Sequence, residues 1–304
     1  MPPRGNFTLS PTLWGAIMVF IGAIGTSSKA ILAKLAYVYG IDAISLLAIR
    51  MLMVFPIFAA IAWYAYRRLH PKPAAKYYFQ LIPIGLLGYY LASFLDFQGL
   101  QYVPAAIERL ILFTYPTLVV LLSRIILKTR INTRQWMALM LAYAGILIVL
   151  VGDLDVSTRE GIWKGGIWIF MAALCYASYI IGSHRLIPIF GVAYFTSLAM
   201  SIASVGVFIH SYLKGAQDLF SYPQPVYEYI GIMGVVSTIL PAFLISAGIK
   251  RIGPGNTAII GSVGPVSTIV LAYLLLDEPF GGIQIVGTLA VMAGVLLIST
   301  KKGT

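Results

Sequence analysis

Apolar residues run in blocks of about 20 along almost the whole chain, separated by short polar connections. A block of that length, wound as an α-helix, crosses the roughly 30 Å hydrocarbon core of a bilayer. The pattern predicts ten spans: 13–35, 43–66, 79–101, 104–127, 133–152, 162–183, 192–213, 228–250, 255–276 and 281–300. The connections alternate in charge. On one side lie Arg67, Arg68, Lys72 and Lys76, then Lys128, Arg130 and Arg134, then Arg185, then Lys250 and Arg251, then Lys301 and Lys302. On the other lie Asp42, then Asp153, Asp155 and Glu160, then Asp218 and Glu228, then Asp277 and Glu278, with only Arg159, Lys164 and Lys214 as basic exceptions. Lys and Arg stay on the cytoplasmic side of such helices. The expectation is an all-α integral membrane protein of ten transmembrane helices, both termini cytoplasmic, in a bacterial cytoplasmic (inner) membrane.

The block pattern repeats. A shift of 149 residues lays 78–150 on 227–299 without a gap, and brings Gly85 to Gly234, Phe94 to Phe243, Gly99 to Gly248, Pro116 to Pro265 and Gly145 to Gly294. A shift of 150 brings Gly15 to Gly165, Phe20 to Phe170 and Ser28 to Ser178. Two units follow, 1–152 and 153–304, each of five spans. Five is odd, so the second unit enters the membrane upside down. Inverted-topology repeats are the architecture of secondary transporters, whose equivalent halves exchange conformations. Pro116 and Pro265 fall at matched places in the fourth and ninth spans and are the hinge candidates, since proline kinks a helix.

Composition narrows the picture further. Hydrophobic residues make up 60% and charged residues 10% of the 304, against about a quarter charged in a soluble domain. The loops are too short for a separate soluble domain. The net charge of +11 is spread over several loops of one face, without the basic helix or aromatic pattern of a nucleic-acid binder. A single cysteine, Cys175, lies inside a span and excludes a disulfide framework or a Cys-based metal site. The first apolar run has no small-residue cleavage site after it and reads as a retained helix, not a signal peptide. Trp14, Trp63, Trp136 and Trp163 fall at span ends, as interfacial residues do.

The stretches "GLQYVPAAIERLILFTYPTLVVLLSRIILKTR" and "GIKRIGPGNTAIIGSVGPVSTIVLAYLLLDEP", with the opening "WGAIMVF…SSKAILAK", resemble the drug/metabolite transporter superfamily, and within it the EamA-type ten-helix exporters. Gly99, Ala105, Pro116 and Gly145 match that family's pattern in the first copy, and Gly248, Pro265, Glu278 and Gly294 in the second. The first copy departs at its acidic position, where "LKTR" stands at a helix end. The resemblance covers nearly the whole chain. It implies a two-fold basket of helices around a central cavity that carries small organic solutes, often outward.

Five ionisable residues sit well inside spans: Lys29, Arg50, Asp96, Glu108 and Arg109. Such placement costs about 2.5–3.5 kcal/mol even on insertion scales, so it marks function or a structural pair. All five belong to the first unit, and their repeat partners are neutral: Tyr179 for Lys29, Ser201 for Arg50, Ile245 for Asp96 and Thr257 for Glu108. At 1.5 Å rise per residue, Lys29, Arg50 and Asp96 share one layer roughly 8–12 Å inside the outer hydrocarbon edge. Glu108 and Arg109 point about 100° apart, so one of them faces a cavity. Tyr89, Ser93 and Asp96 share a face of the third span, and Tyr115 is expected on the face of Glu108. Tyr176, Tyr179 and Ser262 could line the opposite wall.

Two readings stay open for the charges. In one they pair to fix helix packing. In the other they bind solute: Lys29 and Arg50 hold an anionic group, while Asp96 or Glu108 binds an amine or takes up a driving proton. Three cations against two carboxylates leave one surplus positive charge, which favours an amino-acid-like solute or an organic anion. The function expected is secondary active transport, by export or exchange, through alternating access, with no cofactor, metal or catalytic residue. The partners are a small-molecule solute and the lipid bilayer; monomer and homodimer stay open. The alternative class is an integral membrane enzyme acting on a lipid or other apolar substrate. Apart from the more scattered Asp153 and Asp155, the only acidic pair near an interface is Asp277 with Glu278, and it carries no His.

Overall fold

The computed structural model describes residues 11–126, scattered positions from 133 to 148, and residues 159–215, 218–261, 263–277 and 281–299. All regular structure among the described residues is helical. The first four helices are α1 (Pro11–Tyr37), α2 (Ala43–Arg68), α3 (Ala75–Leu100) and α4 (Ala105–Ile126). The fifth predicted span lies mostly outside the described residues; Trp136, Tyr143 and Gly145 within it are helical. Then come α5 (Arg159–Phe190), α6 (Val192–Leu213), α7 (Gln224–Gly253), α8 (254–260 and Val263–Leu276) and α9 (Gly282–Ser299). Helices α1 to α7 supply seven segments long and apolar enough to cross a bilayer, and Val263–Leu276 is apolar but shorter.

Helix ends follow backbone chemistry more closely than polarity. Arg185 lies inside α5, which runs seven residues beyond the predicted end because the helix stops only before Gly191, whose φ of +74° suits glycine. Glu228 likewise lies within α7, which begins after Pro223. Asp42 caps α2: its Oδ1 accepts from the amides of Ile44 (2.9 Å) and Ser45 (3.1 Å), which satisfies two orphan donors.

Irregularities recur at matched places. A π-helical turn occupies Leu86–Leu91 in α3 and Met233–Ile239 in α7. The α4 helix breaks at Phe113 and Thr114, just before Tyr115 and Pro116. Its counterpart α8 turns at Gly261, before Pro265. Proline has no N–H to give the carbonyl four residues back. In α4 that carbonyl belongs to Leu112; in α8 it belongs to Gly261, which accepts from the Gly264 amide instead (2.9 Å).

The packing is also paired. Helix α1 lies against α7 and α8, α5 lies against α3 and α4, and α2 lies against α6. Moved along the chain by about 150 residues, each contact becomes another one or itself. Glycines permit the closest crossings. A Cβ at Gly99 of α3 would come 2.7 Å from the carbonyl oxygen of Gly165 in α5, and one at Gly165 would come 2.8 Å from that of Gly99. Across the other crossing, Gly248 of α7 faces the Gly15 carbonyl of α1. Outside, Ile21, Phe79, Ile167 and Tyr273 are each more than half exposed. An apolar exterior of that kind suits hydrocarbon, not water.

Candidate functional site

A cavity of about 150 Å³ lies between the first four helices and α5 to α8. Both π-helical turns reach it: Gly88 and Tyr89 line it from α3, Ser237 and Thr238 from α7. A π turn rotates the side chains that follow it relative to an α-helix, and such turns concentrate at functional sites.

Part of the cavity lining is charged. Lys29 of α1 and Asp96 of α3 form an ion pair through Nζ and Oδ2. The fully buried ring of Phe97 lies between two cations, with the Arg50 guanidinium 4.9 Å and the Lys29 Nζ 5.6 Å from its centroid, within cation–π range. Arg50 is 3% exposed, and its Nε has no hydrogen-bond partner among the described residues. Arg109 is anchored: its Nε donates to Thr268 Oγ1 of α8 (2.9 Å) and a terminal nitrogen donates to the Thr26 carbonyl of α1. That residue therefore ties α4 to both α1 and α8.

Another part of the lining is aromatic. Tyr89 and Tyr179 share a hydroxyl–hydroxyl hydrogen bond of 2.7 Å. Tyr176 stacks on Tyr179 at 5.9 Å and meets Tyr115 edge-on at 5.1 Å. The Tyr179 ring fits against α3 because residue 88 is glycine; a Cβ there would overlap the ring.

The structure therefore gathers Lys29, Arg50, Tyr89, Ser93, Asp96, Arg109, Tyr115, Tyr176 and Tyr179 around one cavity. Glu108 is fully buried and stands behind the wall, outside the lining. Tyr115 does not share its face, because the break at Phe113 and Thr114 rotates the second half of α4 relative to the first. Pro265 lines the cavity, Pro116 is buried outside the lining, and Ser262 lies outside the described residues. Sequence reasoning missed Phe97, Thr26 and Thr268, which carry no intramembrane charge to mark them. It also missed Ser237 and Thr238, although the 149-residue shift that aligns the repeats sets them on Gly88 and Tyr89.

Among the described residues no three His, Cys, Asp or Glu side chains group as metal ligands would. What the arrangement offers is a partly open chamber lined by buried cations and stacked phenols, built at the seam of a helical integral membrane protein. The chain belongs to the EamA-like transporter family, whose model matches residues 13–151 and again 163–300. The chain is similar to the uncharacterized transporter YcbK of Bacillus subtilis, 29% identical over 90% of this chain and 88% of that one. It is also similar to the uncharacterized transporter YyaM of the same organism, at 27% identity over 72% of each chain, and to an uncharacterized transporter of Synechocystis, at 24% over 84% of this chain and 79% of that one. One crystal structure superposes with a TM-score of 0.66 at 15% identity, covering 93% of this chain and 95% of its own, a likeness of fold. Apolar spans, family and bacterial relatives make this an integral protein of the inner membrane.

Proposed function

We propose that the protein is a secondary transporter of a small organic solute that carries an anionic group, of amino-acid or organic-acid type, and that the central cavity is its binding site. The observation that carries this reading is Arg50: a buried guanidinium on the cavity wall whose Nε has no acceptor among the described residues. A buried donor left unsatisfied costs about 1–3 kcal/mol, more when charged. A carboxylate or phosphate in the cavity removes that cost, and the tyrosines receive the apolar part of the solute. The Lys29–Asp96 pair beside it holds one cation and one anion ready for a zwitterion.

Alternating access is supported by the paired packing and the paired breaks. Two halves that make equivalent contacts can exchange them, opening the chamber first to one face and then to the other. In this scheme there are ten spans in two inverted units of five, 1–152 and 153–304, with cytoplasmic termini. Pro116 and Pro265 serve as the bending points.

The test has two stages. A metabolite panel is screened for thermal stabilisation of the purified protein, since a solute that favours the native state raises its apparent stability. The stabilising compound is then followed into liposomes carrying wild type, Arg50→Ala or Asp96→Asn. Each variant is expected to lower transport roughly tenfold or more, the loss of one charge-assisted contact, measured on the folded fraction isolated by size-exclusion chromatography, since Asp96→Asn also strands Lys29. Wild-type rates in both variants would make the layer purely structural.

A further inference from the structure

Of the five charges set well inside spans, Glu108 alone stands outside the cavity lining. Its two carboxyl oxygens are fully buried and neither has a hydrogen-bond donor among the described residues. Its neighbour across the α3–α4 interface is the carboxyl of Asp96. There too one oxygen, Oδ1, is buried without a donor, while Oδ2 is held by Lys29. Three buried acceptor oxygens thus lie together with nothing donating to them. Polar groups in protein interiors are almost always hydrogen-bonded, and two adjacent carboxylates repel each other.

The cations nearby do not resolve this. Arg109 is next in sequence, but its hydrogen bonds go to Thr268 and Thr26. Lys29 is committed to Asp96 Oδ2, and the Tyr37 hydroxyl donates to the Phe97 carbonyl (2.8 Å). From α5, the side chains packed on this part of α4 are the apolar Ile162, Ile169 and Phe170, and α8 presents Thr268. One added proton satisfies the arrangement: as a carboxylic acid, Glu108 donates its O–H to Asp96 Oδ1, and Asp96 remains a carboxylate paired with Lys29.

We propose that Glu108 is the proton site of this transporter, carrying a proton shared with Asp96 behind the wall of the solute chamber. This rests on the transport reading above for its purpose, though not for its geometry. The proton comes from water on one face and returns to water on the other; Glu108 passes from carboxylate to acid and back. With it bound, Lys29, Arg50 and Arg109 stand against Asp96 alone, and the chamber gains one positive charge. Proton and anionic solute therefore strengthen each other's binding, by reciprocity of linkage. Placing the proton one residue behind the wall, touching Asp96 but not the solute, lets one carboxyl answer to both.

Infrared spectroscopy of the full-length protein in liposomes tests this without knowledge of the solute. Spectra are taken from about pH 5 to about pH 9, spanning the range above the ordinary carboxyl values. Wild type is expected to show the C=O stretch of a protonated, buried carboxylic acid at neutral pH, shifting when water is exchanged for D2O. The isosteric Glu108→Gln variant is expected to lose that band. No such band in wild type overturns the proposal, whatever the variant does. A band that survives in folded Glu108→Gln places the proton elsewhere and overturns it equally. A sodium-dependent, pH-independent carboxylate signal would also overturn it. Failure of the solute reading looks different: Arg50→Ala then transports normally while the Glu108 band stands.

Discussion

At the residue scale, the site is governed by what each buried charge touches. Lys29 and Asp96 pair across α1 and α3, so removing one leaves the other charged and alone. Lys29→Met is expected to destabilise the protein by about 3–5 kcal/mol, the cost of breaking a buried pair. Adding Asp96→Asn to it should recover most of that loss, because the stranded charge goes too. Thermal unfolding of both variants in detergent checks this; equal melting temperatures would show that the two residues act separately. The charges themselves were legible in the sequence, since an ionisable residue inside an apolar run stands out. Their partners were not. Thr26, Thr268 and Phe97 are ordinary residues of a membrane helix, and only the fold shows that Arg109 spends its donors on two of them and that the third lies between Lys29 and Arg50.

At the scale of elements, glycine decides how closely helices cross, and proline decides where they break. Gly99 and Gly165 each stand where a side chain would strike the other's backbone oxygen. Gly99→Val is expected to cost about 1–3 kcal/mol through overpacking, seen as lower yield and melting temperature. Gly231, also helical, has nothing within 4 Å of a Cβ position; Gly231→Ala should be neutral or stabilise slightly, by up to about 1 kcal/mol. If both variants behave alike, close packing is not what these glycines provide. Repeat matching had singled out Gly15, Gly99, Gly165 and Gly248 by position, and the structure supplies their reason. The breaks near Pro116 and Pro265 were readable because a missing N–H is a property of the residue. The π turns of α3 and α7 were not: they depend on how a helix is held by its neighbours, and no residue type announces them. Tyr115 shows the consequence, since a face assigned by unbroken helical counting failed one turn past Glu108.

At the scale of the molecule, two sets of helices make equivalent contacts around one chamber. Apolar blocks and charge alternation made the helical membrane architecture legible, because a bilayer imposes both. The chamber was legible in part. Eight of the residues singled out by charge or aromatic character line it, together with Ser93, but bringing them to one place required the crossing of α1 with α7 and of α5 with α3. In the proposed cycle this chamber opens to each side of the membrane in turn. Ser93 lines it and takes a cysteine readily, in a background where the single native thiol, Cys175, is replaced by alanine. Ser93→Cys is then treated in sealed, oriented vesicles with a membrane-impermeant thiol reagent, applied from outside in one sample and from inside in the other. Modification is expected from either side, each slowed by the solute that stabilises the protein; reaction from one side alone, or from neither, would rule alternating access out.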